Sequence, residues 1–333
     1  MARRRLPALL LWAVMAAALS AGPAAAPGDF SVGVLRRDGV LIPFAAFDGR
    51  QWSVVWPGSD LRQELPISLT DVPARWWGAV GPSAPWTAWL RDDQKRPLKL
   101  LKPVHVPIFC GSHLAVATDY RGEPSPEREP TVPKDGIATA GEVTVLPITQ
   151  VSVNSPDATR VIGTITQRFN QEEDLAEKHF LNWVHPFPRI ARYGLPIQLE
   201  AFYRATDPGP GGDYRTTYIE AVRKYPALAG DQGCGLITFV RGWITEYGDK
   251  KPEINIGARI TYCDRNDVSF IQPFGRVRIP RASGRGRDTG EIYWIYQTSS
   301  WRDEFYSVVR VSPEGVRPVL VVAGGGCPKE RAR

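Results

Sequence analysis

The chain has 333 residues, of which 43% are hydrophobic, 23% charged and 10% aromatic. This composition excludes a disordered, collagen-like or coiled-coil chain and is typical of a globular protein. The formal net charge is +6, which at first suggests an acidic partner.

The first 26 residues have the pattern of a secretory signal peptide. Arg3, Arg4 and Arg5 precede an uncharged, mostly apolar stretch over residues 6–21, and the small residues of 21–26 follow it. The apolar stretch of about 16 residues is shorter than the roughly 20 that a membrane-spanning helix needs. We therefore expect a cleaved leader, and a periplasmic or secreted mature chain with no transmembrane anchor.

Removal of the leader halves the net charge. The leader holds three arginines and no acid, so Lys+Arg falls from 41 to 38 against 35 Asp+Glu, which leaves +3. A net charge this small creates no strong steering field. The sequence therefore does not favour nucleic acid as a partner.

The mature chain contains four cysteines, Cys110, Cys234, Cys263 and Cys327. An even number of cysteines in an exported chain predicts disulfide bonds. The segment between Cys234 and Cys263 has the pattern of a hairpin, which favours that pair and leaves Cys110 to bond with Cys327. Free buried thiols are the alternative.

Short strand patterns separated by turn residues dominate the mature sequence. Asp38-Gly39 and Asp48-Gly49 are hairpin turn dipeptides and predict a three-stranded meander over 31–56, in which Pro43 indicates an edge or a bulge. Later strands are predicted at 142–153, 159–169, 195–205, 214–225, 235–247, 253–263, 268–279, 290–298, 305–311 and 316–322.

This spacing predicts an antiparallel all-β fold rather than βαβ units. We expect a single propeller-like domain over residues 27–333, and two packed β-sandwich domains are the alternative. Residues 121–141 contain four prolines and almost no large apolar residue, which predicts an exposed loop or linker.

One short helix is predicted near 170–184. Asn170 can cap its start, and Glu172, Glu173 and Asp174 follow in the first turn, where the helix dipole favours acids. Ala176, Phe180, Trp183 and Val184 then fall on one face.

Tryptophan is concentrated in a stretch that is rich in proline and glycine. Six tryptophans lie there: Trp52, Trp56, Trp76, Trp77, Trp86 and Trp89. Rings exposed on loops provide binding area at low entropic cost, so this cluster predicts a site for a glycan, a peptide or an envelope protein. The alternative is that the rings pack over the end of the β core.

Glu200 and Glu220 occupy matching local sequences on predicted strands. If the two strands pair, the carboxyls could approach each other as glycoside hydrolysis requires. The alternative is a solvated sheet face on which the acids pair with Arg204, Arg223 or Arg241.

A local basic cluster contains Arg276, Arg278, Arg281, Arg285 and Arg287. It could bind phosphate or an anionic envelope polymer, and an ordinary solvated loop is the alternative. The four histidines and four cysteines match no compact metal motif, and we find no phosphate loop or dinucleotide fingerprint. We therefore expect neither a metal nor a cofactor.

These observations predict an exported, non-enzymatic binding or scaffold protein of the cell envelope or exterior. The alternative is a secreted glycan-directed hydrolase that uses Glu200 and Glu220.

Overall fold

The computed structural model describes residues 28–56, 66, 68–91, 94–124, 132–179, 184–228, 235–262, 268–280 and 290–327. Several predictions fall outside the described residues. They concern the leader at 1–26, the Cys234–Cys263 pair, the ring positions Phe180 and Trp183, and the arginines Arg281, Arg285 and Arg287.

The first eight strands form one antiparallel sheet, sheet A, in the order β5-β4-β8-β1-β2-β7-β6, with β3 paired to β2. Its strands are Asp29–Arg36 (β1), Val40–Asp48 (β2), Trp52–Val54 (β3), Trp86–Leu90 (β4), Lys95–Leu98 (β5), Leu100–Ile108 (β6), Gly111–Thr118 (β7) and Lys134–Gly141 (β8).

The predicted N-terminal meander is confirmed. Gly39 and Gly49, with φ values of 88° and 79°, close the two Asp-Gly turns in the left-handed conformation that glycine adopts without strain. The register between β1 and β2 shifts where Gly33 meets Pro43, which confirms the expected irregularity, since proline cannot donate to the ladder.

The remaining ten strands form two further antiparallel sheets. They are Thr144–Leu146 (β9), Thr149–Gln150 (β10), Gln198–Gly209 (β11), Gly212–Ala227 (β12), Gly235–Tyr247 (β13), Glu253–Tyr262 (β14), Phe270–Ile279 (β15), Glu291–Ser299 (β16), Asp303–Ser312 (β17) and Gly315–Gly326 (β18). Sheet B has the order β10-β11-β12-β13-β14, and sheet C has the order β18-β17-β16-β15-β9.

The three sheets stack face to face, with sheet C in the middle. One face of sheet C packs on sheet A, where Val277, Ile295 and Val308 meet the apolar face of β1 and β2. The opposite face packs on sheet B, where the rings of Trp294 and Trp243 have centroids 5.1 Å apart. The antiparallel all-β prediction is confirmed, and this serial stacking is closer to the sandwich alternative than to a radial propeller.

Two helices occur among the described residues, Pro156–His179 (α1) and Arg189–Gly194 (α2). The strand predicted at 159–169 is therefore wrong, and the predicted short helix begins at Pro156 rather than near Asn170. Asn170 lies inside α1, where its Oδ1 accepts a hydrogen bond of 2.8 Å from Arg223. Neither helix combines the length and the apolar character that crossing a membrane requires.

The predicted strand failed because β-branched residues such as Val161 and Ile165 favour strands locally. Packing decides otherwise, since Ala158, Val161, Ile165 and Phe169 form one buried face of α1 against sheet B. The apolar residues of this segment therefore have helical spacing, although its residue types are typical of a strand.

The segment between β3 and β4 covers the outer face of sheet A. Its short 3-10 turns at Ala74–Trp76 and Gly78–Val80 place Trp76, Trp77 and Val80 against that face. Gly78 has a φ of 71°, and a Cβ there would lie 2.6 Å from that of Ala46. Glycine is therefore needed for the segment to approach the sheet.

The segment predicted as an exposed loop at 121–141 contains a central strand. Residues 134–141 form β8, which lies between β4 and β1 and is mostly buried. Small residues at 136, 138 and 140 let β8 pack closely against its neighbours. The strand was not predicted because the segment before it is rich in proline and β8 itself has few large apolar residues.

The predicted bond between Cys110 and Cys327 is confirmed, with Cα atoms 4.7 Å apart. It joins the β6–β7 turn of sheet A to the end of β18 in sheet C. The amide of Cys327 also donates to the carbonyl of Arg302, at 2.8 Å. The C-terminal end of sheet C is thus fixed to sheet A covalently.

Candidate functional site

Four of the six clustered tryptophans are buried rather than offered to a ligand. Trp56, Trp76, Trp77 and Trp86 are at most 5% exposed, and the centroid of Trp56 lies 5.3 Å from that of Trp76 and 5.1 Å from that of Trp77. Trp52 packs between sheets A and C. These five rings stabilise the core, which agrees with the packing alternative.

Glu200 and Glu220 lie on the paired strands β11 and β12. The register shifts between Leu199 and Ala201, so Glu200 has no partner residue on β12. Glu220 is 4% exposed and accepts hydrogen bonds of 2.8 Å from the Tyr218 hydroxyl and the Ile271 amide. Burial raises the pKa of Glu220. Glu200 lies 3.9 Å from the ammonium of Lys224. Glu200 is partly exposed but Glu220 is closed off from solvent, so the two acids do not form the accessible pair that the hydrolase alternative requires.

Arg276, predicted to bind anions, is held inside the protein. It is 6% exposed, forms an ion pair with Asp207 of β11 and donates from Nε to the carbonyl of Pro147 at 2.9 Å. Burial raises the pKa of Asp207 and the arginine opposes that rise. Arg278 is half-buried on the same strand. Arg276 therefore joins sheet B to sheet C rather than facing a ligand.

All three sheets meet around one cleft of about 450 Å³, which we name the central cleft. Sheet A contributes the end of β4 and the following turn, sheet C contributes β9 and β15, and sheet B contributes β10 and β11. The groups that can contact a ligand there are Trp89, Arg91, Gln94, Gln150, Tyr203 and Phe274.

Trp89 and Arg91 reach the central cleft together because alternate residues of a strand point to the same side. The indole of Trp89 donates to the Thr139 hydroxyl at 2.9 Å, and the Lys95 ammonium lies 4.5 Å from the ring centroid. The backbone amide of Arg91 donates to the carbonyl of Asp135 at 3.0 Å. These contacts fix the orientation of Trp89 and the backbone position of Arg91 at the edge of the central cleft.

Arg91 supplies the positive charge of the central cleft. Its guanidinium carbon lies 5.5 Å from the ring centroid of Phe274, and no carboxylate among the described residues forms an ion pair with it. Its side chain is open to solvent. An arginine remains charged at any physiological pH, so Arg91 offers a cation that no carboxylate of the described residues neutralises.

Tyr203 provides a hydroxyl opposite this cation. Burial raises the pKa of Tyr203, and the charge of Arg91 partly opposes the rise. The phenol is therefore protonated at neutral pH and can donate a hydrogen bond. The amides of Gln94 and Gln150 are exposed beside it.

Of these six groups, the sequence pointed to Trp89. The positions 91, 94, 150, 203 and 274 are dispersed along the chain, so no local motif marks them. The membership of Trp89 in the tryptophan cluster was the one available signal.

Comparison with family models, curated proteins and solved structures finds no match for this chain.

Proposed function

We propose that this chain is an exported, non-enzymatic binding protein of the cell envelope or exterior, and that its ligand occupies the central cleft. The observation that carries the proposal is the convergence of three sheets on a cleft that presents Trp89, Arg91 and Tyr203. Binding sites occur preferentially where separate structural layers meet.

Two features support export. The leader has the order of charges, apolar residues and small residues of a signal peptide. The bond between Cys110 and Cys327 is of a kind that persists in oxidising compartments and is rare in the cytosol.

The chemistry of the cleft supports a glycan ligand. The half-buried indole of Trp89 has a flat apolar surface that can pack on the apolar face of a sugar ring. The phenol of Tyr203 and the amides of Gln94 and Gln150 can bond to hydroxyl groups. Trp89, Tyr203 and the two amides are of the kind that bind and orient a ligand, which favours recognition over catalysis.

A glycan and peptide array probed with the purified chain tests the proposal. We expect binding to at least one glycan class, weakened about tenfold by Arg91→Ala or Tyr203→Phe, because each removes one hydrogen-bonding group from the wall. Arg317→Ala is the matched control, since Arg317 is exposed on β18 and lies outside the cleft. Thermal melting checks that each variant is folded. Equal signals from the wild type and both cleft variants would refute the proposal.

A further inference from the structure

A second cleft, of about 550 Å³, adjoins the central cleft and shares Leu90, Arg91 and Gln94 with it. We name it the arginine cleft after the four arginines that line it: Arg37, Arg91, Arg96 and Arg121.

Positive charge is in excess in the described lining of the arginine cleft. Four arginines there face two carboxylates, Asp135 and Glu123. Asp135 is already engaged, since its Oδ1 accepts a hydrogen bond of 2.9 Å from Arg37 and its Oδ2 accepts one of 2.7 Å from the Tyr120 hydroxyl. Asp92 and Asp93 lie outside the described residues.

Three of the four arginines, Arg91, Arg96 and Arg121, form no ion pair with a carboxylate in the described part of the chain. The guanidinium carbon of Arg96 lies 4.1 Å from the ring centroid of Tyr120. An arginine stacked on a ring is held in one plane and keeps its N–H groups directed outward. Arg96 is thus oriented by a ring contact, and no carboxylate of the described residues neutralises it.

The arginine cleft is preformed by backbone contacts. The amide of Gly122 donates to the carbonyl of Arg37 at 2.9 Å, and the amide of Arg37 donates to that of Pro133 at 2.8 Å. The Arg121 guanidinium bonds to the carbonyl of Thr118 at 3.0 Å while its side chain remains exposed. A ligand therefore meets guanidinium groups that are already positioned, which lowers the entropic cost of binding.

We infer that the ligand is an acidic polysaccharide whose sugar rings lie in the central cleft and whose anionic groups bind in the arginine cleft. The inference rests on the proposed function. It is carried by the continuity of the two clefts through Arg91 and by the guanidinium of Arg96, which pairs with no carboxylate among the described residues. The planar donors of arginine match the oxygens of carboxylate and sulfate groups in a bidentate manner.

Calorimetric titration of the full mature chain with three polysaccharides tests this inference. Polygalacturonate supplies carboxylates, dextran sulfate supplies sulfates, and dextran is the neutral probe. We expect an acidic probe to bind at least about tenfold more tightly than dextran, and Arg96→Ala to remove about tenfold of that affinity. Arg121→Ala, at an exposed position, should weaken binding in the same direction. Arg317→Ala should have no effect, and added salt should weaken binding of the acidic probe alone.

The outcomes separate the two proposals. The carboxylate and sulfate arms identify which anionic group the cleft prefers, and either preference supports the inference. If dextran binds as tightly as both acidic probes and Arg96→Ala changes nothing, the acidic specificity is refuted while the central cleft remains a glycan site. If no glycan binds the wild type, both proposals fall. Tighter binding of single-stranded DNA than of either acidic polysaccharide would also overturn the inference.

Discussion

The ammonium of Lys134 on β8 lies 2.7 Å from the Glu304 carboxylate on β17, and the two side chains are 3% and 0% exposed. The pair crosses the interface between sheets A and C. Burial lowers the pKa of Lys134, and Glu304 opposes that change. The Gln297 amide and the Tyr306 hydroxyl also donate to Glu304. The Glu304 carboxylate thus receives hydrogen bonds from both sheets, from Lys134 in sheet A and from Gln297 and Tyr306 in sheet C.

Glu304→Gln should lower the free energy of unfolding by about 3–5 kcal/mol, because it leaves the Lys134 charge buried without compensation. Urea denaturation at neutral pH measures this. The matched control is Glu246→Gln at the Arg160–Glu246 pair, whose side chains are 45% and 25% exposed. An exposed pair contributes less than about 1 kcal/mol. Equal losses from the two substitutions would contradict the role assigned to the buried pair.

His113 should make stability depend on pH. It is 1% exposed on β7, and burial lowers its pKa to about 4. The unfolded chain takes up a proton near the ordinary histidine pKa of about 6.5, whereas the folded chain does so only near pH 4. The stabilisation is therefore complete above pH 6.5 and is lost as the pH falls towards 4, at up to about 1.4 kcal/mol per pH unit.

His113→Gln should remove this component of the pH dependence, which urea denaturation at pH 7 and pH 5 measures. His105→Gln is the matched control, since His105 lies exposed on the neighbouring strand β6. If the wild type and His113→Gln lose equal stability between the two pH values, His113 is not buried in its neutral form.

The N-terminal meander and the strands of the C-terminal half were predictable because they depend on local signals, whereas β4 to β8 were not predicted. All eight strands predicted after residue 195 are present as β11 to β18, since each has alternating or continuous apolar residues bounded by turn residues. The order in which the sheets stack was not predictable. It depends on which side chains of sheet C face each neighbour, and both of its faces are apolar.

Only one residue of the candidate site, Trp89, was among the residues that the sequence predicted to bind a ligand. Trp89 belonged to the tryptophan cluster, but its role differs from that of Trp56 or Trp77 because it lies at the open end of β4. Arg96 and Tyr203 lie in clefts that are completed by residues far away in sequence, such as Asp135 and Phe274. The basic cluster that the sequence did show includes Arg276, which serves an internal ion pair instead.

The contact of α1 with sheet B should depend on Glu173. Its carboxylate is fully buried, lies 2.7 Å from the Arg223 guanidinium and accepts a hydrogen bond from the Tyr225 hydroxyl. Glu173→Gln should lower the free energy of unfolding by about 3 kcal/mol or more, because Arg223 is then buried without its counter-charge.

The adjacent acid offers a matched control. Glu172 forms an i,i+4 pair with Arg168, whose side chain is 44% exposed, so Glu172→Gln should change stability by less than about 0.5 kcal/mol. Chemical denaturation followed by circular dichroism measures both. A loss at Glu172 as large as that at Glu173 would show that helix propensity, not the buried pair, stabilises α1.

Trp77 should act as a core residue. It is 1% exposed, and its backbone carbonyl accepts a hydrogen bond of 2.7 Å from Ser31. Trp77→Ala should destabilise the protein by about 3–5 kcal/mol through the cavity that it creates. Trp301, at 52% exposure, is the control, and Trp301→Ala should change stability by less than about 0.5 kcal/mol. A stable Trp77→Ala variant that loses ligand would instead restore the binding interpretation of the tryptophan cluster.

The bond between Cys110 and Cys327 joins residues 217 positions apart, and its loss should lower the free energy of unfolding by about 2–5 kcal/mol. The Cys110→Ser/Cys327→Ser double variant isolates this bond, since serine cannot form it and changes little else at the exposed Cys110 position. Reducing agent should destabilise the wild type by at least the same amount. Any effect of reducing agent that remains in the double variant measures a second bond, for which Cys234 and Cys263 are the available thiols. If the double variant is as stable as the wild type, the attachment of β18 to the β6–β7 turn does not stabilise the stacking of sheet C on sheet A.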